Sequence, residues 1–557
     1  MAGMLGISSS GLMAVQQALD VTSHNIANVN TDGYSRQRVD FTPKSAQSNG
    51  GGFIGQGVDA TVSRVYDQFI AKQMTSTTSA FSEADTLSTY AAQVDNMVSS
   101  DATSVSGPLN SFFNAVNDVA NDPSSLAARQ VMLEDARSVS HQFNTLSTQF
   151  DDVRQQTNSQ MGAMLDDINS YTKNIADLND KIVLASSRAT DGQLPNDLLD
   201  QRDTLINKIA EKFSVTTQPQ QDGSVNLFIS SGQYLVMGNS ATNLSLGDST
   251  TAGTDKAILA DGVDITKQIS GGQVSGLLKF QHTVLDPAQQ QLDLMAVGFA
   301  AKFNDIHNGN NTIDPLQTKS FDLNGKPGKD FFDVGSPTVK ASTDSFGTVS
   351  ATYDATRIGL LTADNYQLNY DGNAYSLTRL SDNTVTNVTV RDNPNDSKPI
   401  IEGPGFNIEI TQDLAAGDSF LIKPVNNAAN NLKSLIDDPA QIAASSTAAG
   451  VPGDNANALK LAELANTKLM LGGNASINDI NSQMVAKIGT LANSAKVNSA
   501  AQESLFNMAK QSRESLSGVN LDEEAANLIK YKQAYQAAAQ AISTASTLFD
   551  TLINAMR

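Results

Sequence analysis

Leu528-Ile-Lys-Tyr531-Lys-Gln-Ala-Tyr535-Gln-Ala-Ala538-Ala-Gln-Ala-Ile542-Ser-Thr-Ala545-Ser-Thr-Leu-Phe549-Asp-Thr-Leu552 sets an apolar or small residue at alternating steps of three and four, and Met556 continues it. That spacing is the seam of a helix packed on other helices at coiled-coil geometry. The helix has a readable start. Asn520 can cap it, Glu523 follows three residues on, and Asp522 to Glu524 suit the positive end of the helix dipole. No charge occurs between Lys532 and Asp550, and the positions off the seam are mainly Ala, Gln, Ser and Thr. A solitary surface helix carries Lys and Glu on its outward face. Small neutral residues there suit a helix with neighbours on most sides, one that orders when partners arrive.

The other end of the chain has the same character. Leu5, Leu12, Val15, Leu19, Thr22, Ile26 and Val29 follow helical steps of three, four and seven. Inside the ends, Val139, Phe143, Leu146, Phe150 and Val153 continue, after a skip near Thr157, into Met161, Met164, Ile168, Tyr171, Ile175, Leu178 and Ile182. Asp122–Pro123 reads as the cap and first-turn proline of this run, and Asp286–Pro287 and Asp438–Pro439 as similar starts. One continuous helix here would be roughly 90 Å long at about 1.5 Å per residue, which suits a shaft.

The middle changes character. Ser224-Val-Asn-Leu-Phe-Ile-Ser230 alternates beside Asp222–Gly223, and Tyr366–Tyr370 and Tyr375–Thr378 flank Asp371–Gly372, which predicts two hairpins. A helix is expected from Pro287, with Leu292, Met295, Phe299, Phe303 and Ile306 on one face. The expected fold class is multidomain α+β: long coiled-coil-like helices from both chain ends form an axial shaft, with β-rich domains inserted in the middle. The expected divisions are 1–60 with 500–557 as a terminal helical unit, disordered in the free monomer, and 61–212 with 430–499 as the shaft. A mixed hairpin and helix region then covers 213–335, and an inserted outer β domain covers 336–429.

The totals agree with several folded units. The chain has 557 residues, 40% hydrophobic and 17% charged, which is too long for one core and too apolar for a disordered chain. A net charge of −21 argues against nucleic acid and anionic membrane as partners. The absence of Cys removes disulfides and thiolate chemistry. Residues 1–19 lack the basic start of a secretory signal peptide, and no apolar stretch reaches the length of a membrane span.

Catalytic patterns are missing from the sequence. The four His, in the contexts His24-Asn, His141-Gln, His282-Thr and His307-Asn, do not form a zinc-protease helix. No nucleophile elbow or phosphate-binding loop occurs. Asp322-Leu-Asn-Gly325-Lys326 resembles a calcium loop only loosely. Lys326 stands at a ligand position and no Glu closes the set, so a turn with Gly at positive φ is the reading. No catalytic residue, metal or cofactor is assigned.

Asn25-Ile-Ala-Asn28-Val-Asn30-Thr-Asp-Gly33-Tyr34 closes the N-terminal helix with turn-forming residues, and its amide density suggests a hydrogen-bonded corner. From Ser23 to Tyr34 this stretch resembles the N-terminal motif of flagellar rod, hook and hook-associated proteins, with Asp32 where Pro is usual. Ser35-Arg36-Gln37 looks like the hook-associated protein 1 form of that family. Ser517-Gly-Val-Asn-Leu-Asp-Glu-Glu524, Ala526 to Tyr531 and Gln533-Ala-Tyr535 resemble the family's other end. Leu194-Pro-Asn-Asp-Leu-Leu-Asp-Gln-Arg202 and Phe321–Gly325 through Phe331-Phe332 match it internally.

The resemblance implies a structural hook–filament junction subunit, not an enzyme. It would be exported unfolded by the flagellar type III apparatus without a cleavable signal, and would act outside the cell. Its implied partners are further copies in a ring, the hook protein, a second junction protein and an export chaperone. The implied N-terminal contacts are Leu5, Leu12, Val15, Leu19, Ile26, Asn28, Asn30, Gly33 and Tyr34. The C-terminal contacts, shared with the chaperone, are Leu528, Tyr531, Tyr535, Ile542, Phe549 and Leu552. Alternative readings are another axial protein, such as the hook protein or second junction protein, a secreted cell-wall hydrolase, and an adhesive surface on the β insertion.

Overall fold

The computed structural model describes residues 2–45, 47–49, 52–100, 102–189, 193–229, 232–248, 256–309, 319–342, 345–386, 388–392, 398–468 and 470–555. Its helices, in chain order, are α1 (Ala2–Ala27), α2 (Gln68–Ser99), α3 (Ser106–Asn121), α4 (Leu126–Arg188), α5 (Asn196–Lys212), α6 (Gly272–Phe280), α7 (Asp286–His307), α8 (Ala428–Asn431), α9 (Ala456–Glu463), α10 (Ile477–Ser517) and α11 (Leu521–Ala555). The architecture is multidomain α+β, with long helices from both ends and a β-rich middle.

The shaft is organised on α4, whose 63 residues span about 95 Å. Ser125 caps it, its Oγ accepting from the Ala128 N–H at 3.2 Å. The Asp122–Pro123 reading is therefore corrected. A residue before proline is pushed out of the helical region, and Asp122, at φ −134° and ψ 83°, ends α3 instead of starting α4. At Asp286–Pro287, α7 does begin with the proline in its first turn, but Asp286 is helical, at φ −61° and ψ −47°, and does not cap a free start. A π-helical turn, Gln281–Leu285, links α6 to α7 without a break, and Pro287 sits in the continuing helix. Asp438 does cap a start, but of a single 3₁₀ turn, Pro439–Gln441.

Two large apolar cores lie along α4, and a small third cluster of Leu178, Ile182 and Leu199 lies near its C-terminal end. Met132 to Val153 pack with α3, α7, part of α10 and the outer β unit. Met161 to Ala176 pack with α5, α6 and the first β unit. Between them stands Thr157, fully buried, accepting at Oγ1 from the Gln281 side-chain amide at 2.7 Å. The skip in the apolar pattern is thus a polar tie between α4 and the π turn. A long pairing of α2 with α10 completes the shaft, and Phe81 stacks on Phe506 at 5.4 Å. Helix α10 starts in a capping box of Ser476 and Asp479 and runs without interruption to Ser517.

Both expected hairpins are present. Val215–Pro219 pairs with Val225–Ile229 around Asp222–Gly223, and Tyr366–Tyr370 pairs with Tyr375–Arg379 around Asp371–Gly372. The outer β unit stacks two antiparallel sheets. In one, 338–341, 419–423, 366–370, 375–379 and 385–386 lie in that order; in the other, 348–353, 406–412, 399–402 and 389–392. Alternate residues Phe406, Ile408 and Ile410 point into the core, as period-two burial requires. Asp322 closes a turn in which its Oδ1 accepts from the Asn324 and Lys326 amides, both at 2.8 Å, and Gly325 has φ +71°.

Phe112, Phe299, Phe303, Phe331 and Phe332 cluster beside His307, which is wholly buried. His307 Nδ1 lies 2.6 Å from the Lys329 carbonyl, and Nε2 accepts from the Ala443 N–H at 2.9 Å. That tautomer is neutral and satisfied at both nitrogens. Burial depresses its pKa to about 4. As pH falls from the unfolded value near 6.5 to about 4, only the unfolded chain gains the proton, and folding weakens by about 3 kcal/mol. The stability advantage of wild type over His307→Gln, from urea midpoints, should therefore shrink by about that amount across this window, and a constant difference would refute the neutral assignment.

Candidate assembly site: the joint of the two chain ends

Helices α1 and α11 pack on each other, and a hairpin of 37–43 and 58–64 packs on α1. The line that α1 buries is Ser10, Ala14, Ala18, Thr22 and Asn25. These small residues allow close approach. Gly57, at φ +98°, lies so near α1 that a Cβ there would be 1.9 Å from Ser10 Oγ. The line read from the sequence sits off this stripe: Leu12, Val15, Leu19 and Ile26 are half-buried and Leu5 is exposed. Burial within one chain selects residues that fit a narrow gap, and the larger apolar ones are left toward the rim.

On α11 the seam divides in two. Tyr531, Ala538 and Ile542 are half-buried and Ala545 is buried, whereas Leu528, Tyr535 and Phe549 are exposed. Leu521, Ile529, Leu548 and Ile553 add to the uncovered apolar surface. The side chain of Leu552 and residue Met556 lie outside the described residues. None of the described residues of α1 or α11 belongs to the apolar clusters of the shaft. Among the described residues, polar contacts tie the corner after α1 to the shaft.

The joint starts at Asn25, 1% exposed. Its Oδ1 accepts from the Gln37 N–H at 2.9 Å and from Tyr34 Oη at 2.8 Å, and its Nδ2 donates to the Gln37 carbonyl at 2.8 Å. Tyr34 lies edge-on to His24 at 5.5 Å, and burial followed by Asp197 and Asp200 raises its pKa. Asn28 is half-buried and bonds back to the His24 carbonyl at 2.9 Å, while Asn30 is exposed. Gly33 has φ +83° and a Cβ there would lie 2.2 Å from Thr204 Oγ1 of α5, so both conformation and space require glycine.

Helix α5 is the platform for this corner. Asp200 accepts from the Ser35 N–H at 2.9 Å and from Arg64 at 2.9 Å, and Arg64 also reaches Asp203 at 2.8 Å. Burial pushes the Asp200 carboxyl upward, while Ser35 and Arg64 pull it down. Asp197 accepts from the Gln37 side chain at 2.9 Å. The C-terminal end joins through Arg36, which pairs with Glu524 and Glu523, each at 2.7 Å, and whose N–H donates to the Ser517 carbonyl at 2.9 Å. Glu524 is 2% exposed, so its charge is neutralised by Arg36 in place of water. Asn520 caps α11, accepting from the Asp522 N–H at 2.9 Å.

Gly33, Tyr34 and Asn28 were singled out from the sequence, and the structure brings them together. Asn25, Arg36, Arg64, Asp200 and Glu524 were not assigned roles. Asn25, Arg36, Asp200 and Glu524 belong to three separated motifs, at 23–37, 194–202 and 517–524, which converge here, whereas Arg64 lies in none of them and carried no sequence signal. Breaking a buried ion pair on one side costs about 3–5 kcal/mol. In subunits assembled on hooks, Arg36→Ala should therefore speed amide exchange along 521–555 while α4 keeps its protection, and unchanged exchange in α11 of that assembled variant would show that Arg36 does not hold it. Gly33→Ala should destabilise the corner by more than about 1 kcal/mol, and adding Thr204→Ala should recover only part, because the backbone strain remains.

Residues 91–332 match the family model of the flagellar hook-associated protein FlgK helical domain, and 339–424 that of the D2-like domain of flagellar hook-associated protein 1. Residues 5–34 match the flagella basal body rod protein model, and 510–555 the C-terminal model of flagellar basal body rod FlgEFG proteins. Flagellar hook-associated protein 1 of Salmonella typhimurium is 34% identical over 573 residues, covering 100% of both chains. The protein of that name in Escherichia coli K12 is 33% identical, again over 100% of each. The solved flagellar hook junction protein FlgK of Burkholderia pseudomallei superposes with a TM-score of 0.69 at 25% identity, covering 80% of this chain and 100% of that one. With full-length identity to these relatives and both terminal motifs meeting at one joint, the chain belongs to the flagellar hook-associated protein 1 family.

Proposed function

We propose that this chain is a structural subunit joining the flagellar hook to the filament, exported unfolded and polymerised through its terminal helices outside the cell. The carrying observation is the divided seam of α11: Tyr531, Ala538, Ile542 and Ala545 are half-buried or buried, while Leu528, Tyr535 and Phe549 remain uncovered. The helix is 35 residues long, packs chiefly on α1, and is tied by ion pairs to Arg36 of the N-terminal corner. Such a helix gains order from neighbours that cover its apolar face. Copies related by one repeated contact between unlike faces then close into a ring.

The hook protein below, a second junction protein above and an export chaperone on the C-terminal helix are the partners of this reading. Membership of the family and the solved hook junction protein support it. The same uncovered face serves the chaperone before export and the neighbouring subunits after it, which makes the two occupants mutually exclusive. The terminal helices are disordered in the free monomer and fold on assembly, and the middle units stay folded throughout.

Ile542→Asp with Phe549→Asp should abolish incorporation onto isolated hooks while the circular dichroism of the middle units is unchanged. Incorporation by the double variant would refute the role of this face. Hydrogen exchange of residues 1–35 and 520–557 should be fast in the monomer and slow after addition of hooks. Protection already complete in the monomer would refute the folding step.

A further inference from the structure

The outer β unit is joined to the shaft by two stalks. The incoming one passes through Phe331–Asp333, and the outgoing one through Pro424 to α8. A helix of four residues cannot stand alone, so something must hold α8. At its start, Asp293 of α7, 2% exposed, accepts from the Ala429 N–H at 2.8 Å and from the Asn427 amide. Asn427 itself is left-handed, at φ +61°. At the end of α8, the Asn144 amide of α4 donates to the carbonyls of Ala429, Asn430 and Leu432 at 2.7, 2.9 and 3.2 Å. Burial pushes the Asp293 carboxyl up to about 8, and the two amide bonds offset that desolvation only in part.

The incoming stalk is held by the same helix. Asn304 of α7 accepts at Oδ1 from the Phe331 and Phe332 amides, at 2.8 and 2.9 Å, and donates from Nδ2 to the Phe332 carbonyl at 2.7 Å. Asp293 and Asn304 are about three helical turns apart, so they share one face of α7. Beyond them the stalks pair only briefly, Phe332 with Ser434 and Asp333 with Lys433.

We propose that one face of α7, with Asn144 opposite, is a mount that fixes the direction in which the outer β unit leaves the shaft. The unit also shares apolar contacts with the shaft. Apolar contact is non-directional and allows sliding, whereas hydrogen bonds to stalk backbone on one helix face fix an angle. Asp293, Asn304 and Asn144 are positioning residues. They hold backbone rather than pack side chains, and their loss should free the orientation of the unit without unfolding it.

The absence of Cys allows two unique spin labels, one on the shaft at Ser111→Cys and one on the outer unit at Asn373→Cys. The full chain should give a single narrow distance distribution by pulsed electron resonance. Asn144→Ala, Asp293→Ala and Asn304→Ala together should at least double its width, with the strand content by circular dichroism retained. An unchanged width in the folded triple variant would overturn the proposal and assign the orientation to apolar contact. If the triple variant does not fold, Asp293→Ala and Asn304→Ala are measured singly. Each should broaden the distribution, Asp293→Asn should restore it by keeping an acceptor, and unchanged widths in both alanine variants would overturn the proposal.

Discussion

Asp200 on α5 accepts the Ser35 amide and the Arg64 guanidinium at the joint where the corner after α1 meets the shaft. Because α1 and α11 contribute nothing to the shaft's apolar clusters, this carboxylate and the Arg36 pairs next to it decide where both ends point. An apolar attachment would allow many nearly equivalent orientations. Buried charges accept few, because each displaced oxygen or nitrogen must be desolvated without a partner. The joint thus trades stability for a defined angle.

Within the shaft the same division of labour recurs. α4 carries two large apolar cores, and the tie of Thr157 to Gln281 stands at the boundary between them. The π turn that holds Gln281 lets α6 and α7 follow α4 without a loop. Asp293, Asn304 and Asn144 then fix the stalks of the outer unit, as Asp200 fixes the chain ends. Apolar surface supplies cohesion along the helices, and single buried polar groups set the angles between units.

How far the sequence carried follows from this division. Period is a local property, so the seam of α11, the run along α4 and both hairpins could be read directly from residue order. The Asp-Pro pairs misled, because proline ends one helix as readily as it starts the next, and what precedes it in space decides. Asp122 had α3 behind it, and Pro287 had a π turn. The site was legible in its pieces only. Asn28, Gly33 and Tyr34 stand in a recognisable corner, but nothing in residue order pairs Ser35 with Asp200 or Arg36 with Glu524, which are brought together by the fold over more than a hundred positions. The α1 stripe of Ser10, Ala14 and Ala18 was overlooked because small residues score weakly as core.

That stripe also explains why the apolar pattern at the ends looked richer than one chain needs. Ser10, Ala14 and Ala18 of α1 and Ala545 of α11 are the buried line, and they suit a tight two-helix contact. Leu5 and Phe549, together with Leu528 and Tyr535, belong to the same periodic pattern but are exposed. A sequence selected for the isolated pair would place charge at those positions, since exposed Leu and Phe add nothing to its stability and invite association. These positions form apolar surface that the pairing of α1 with α11 leaves uncovered. The pairing of α1 with α11 covers one half of the seam, and on the function proposed above neighbouring copies cover the other half.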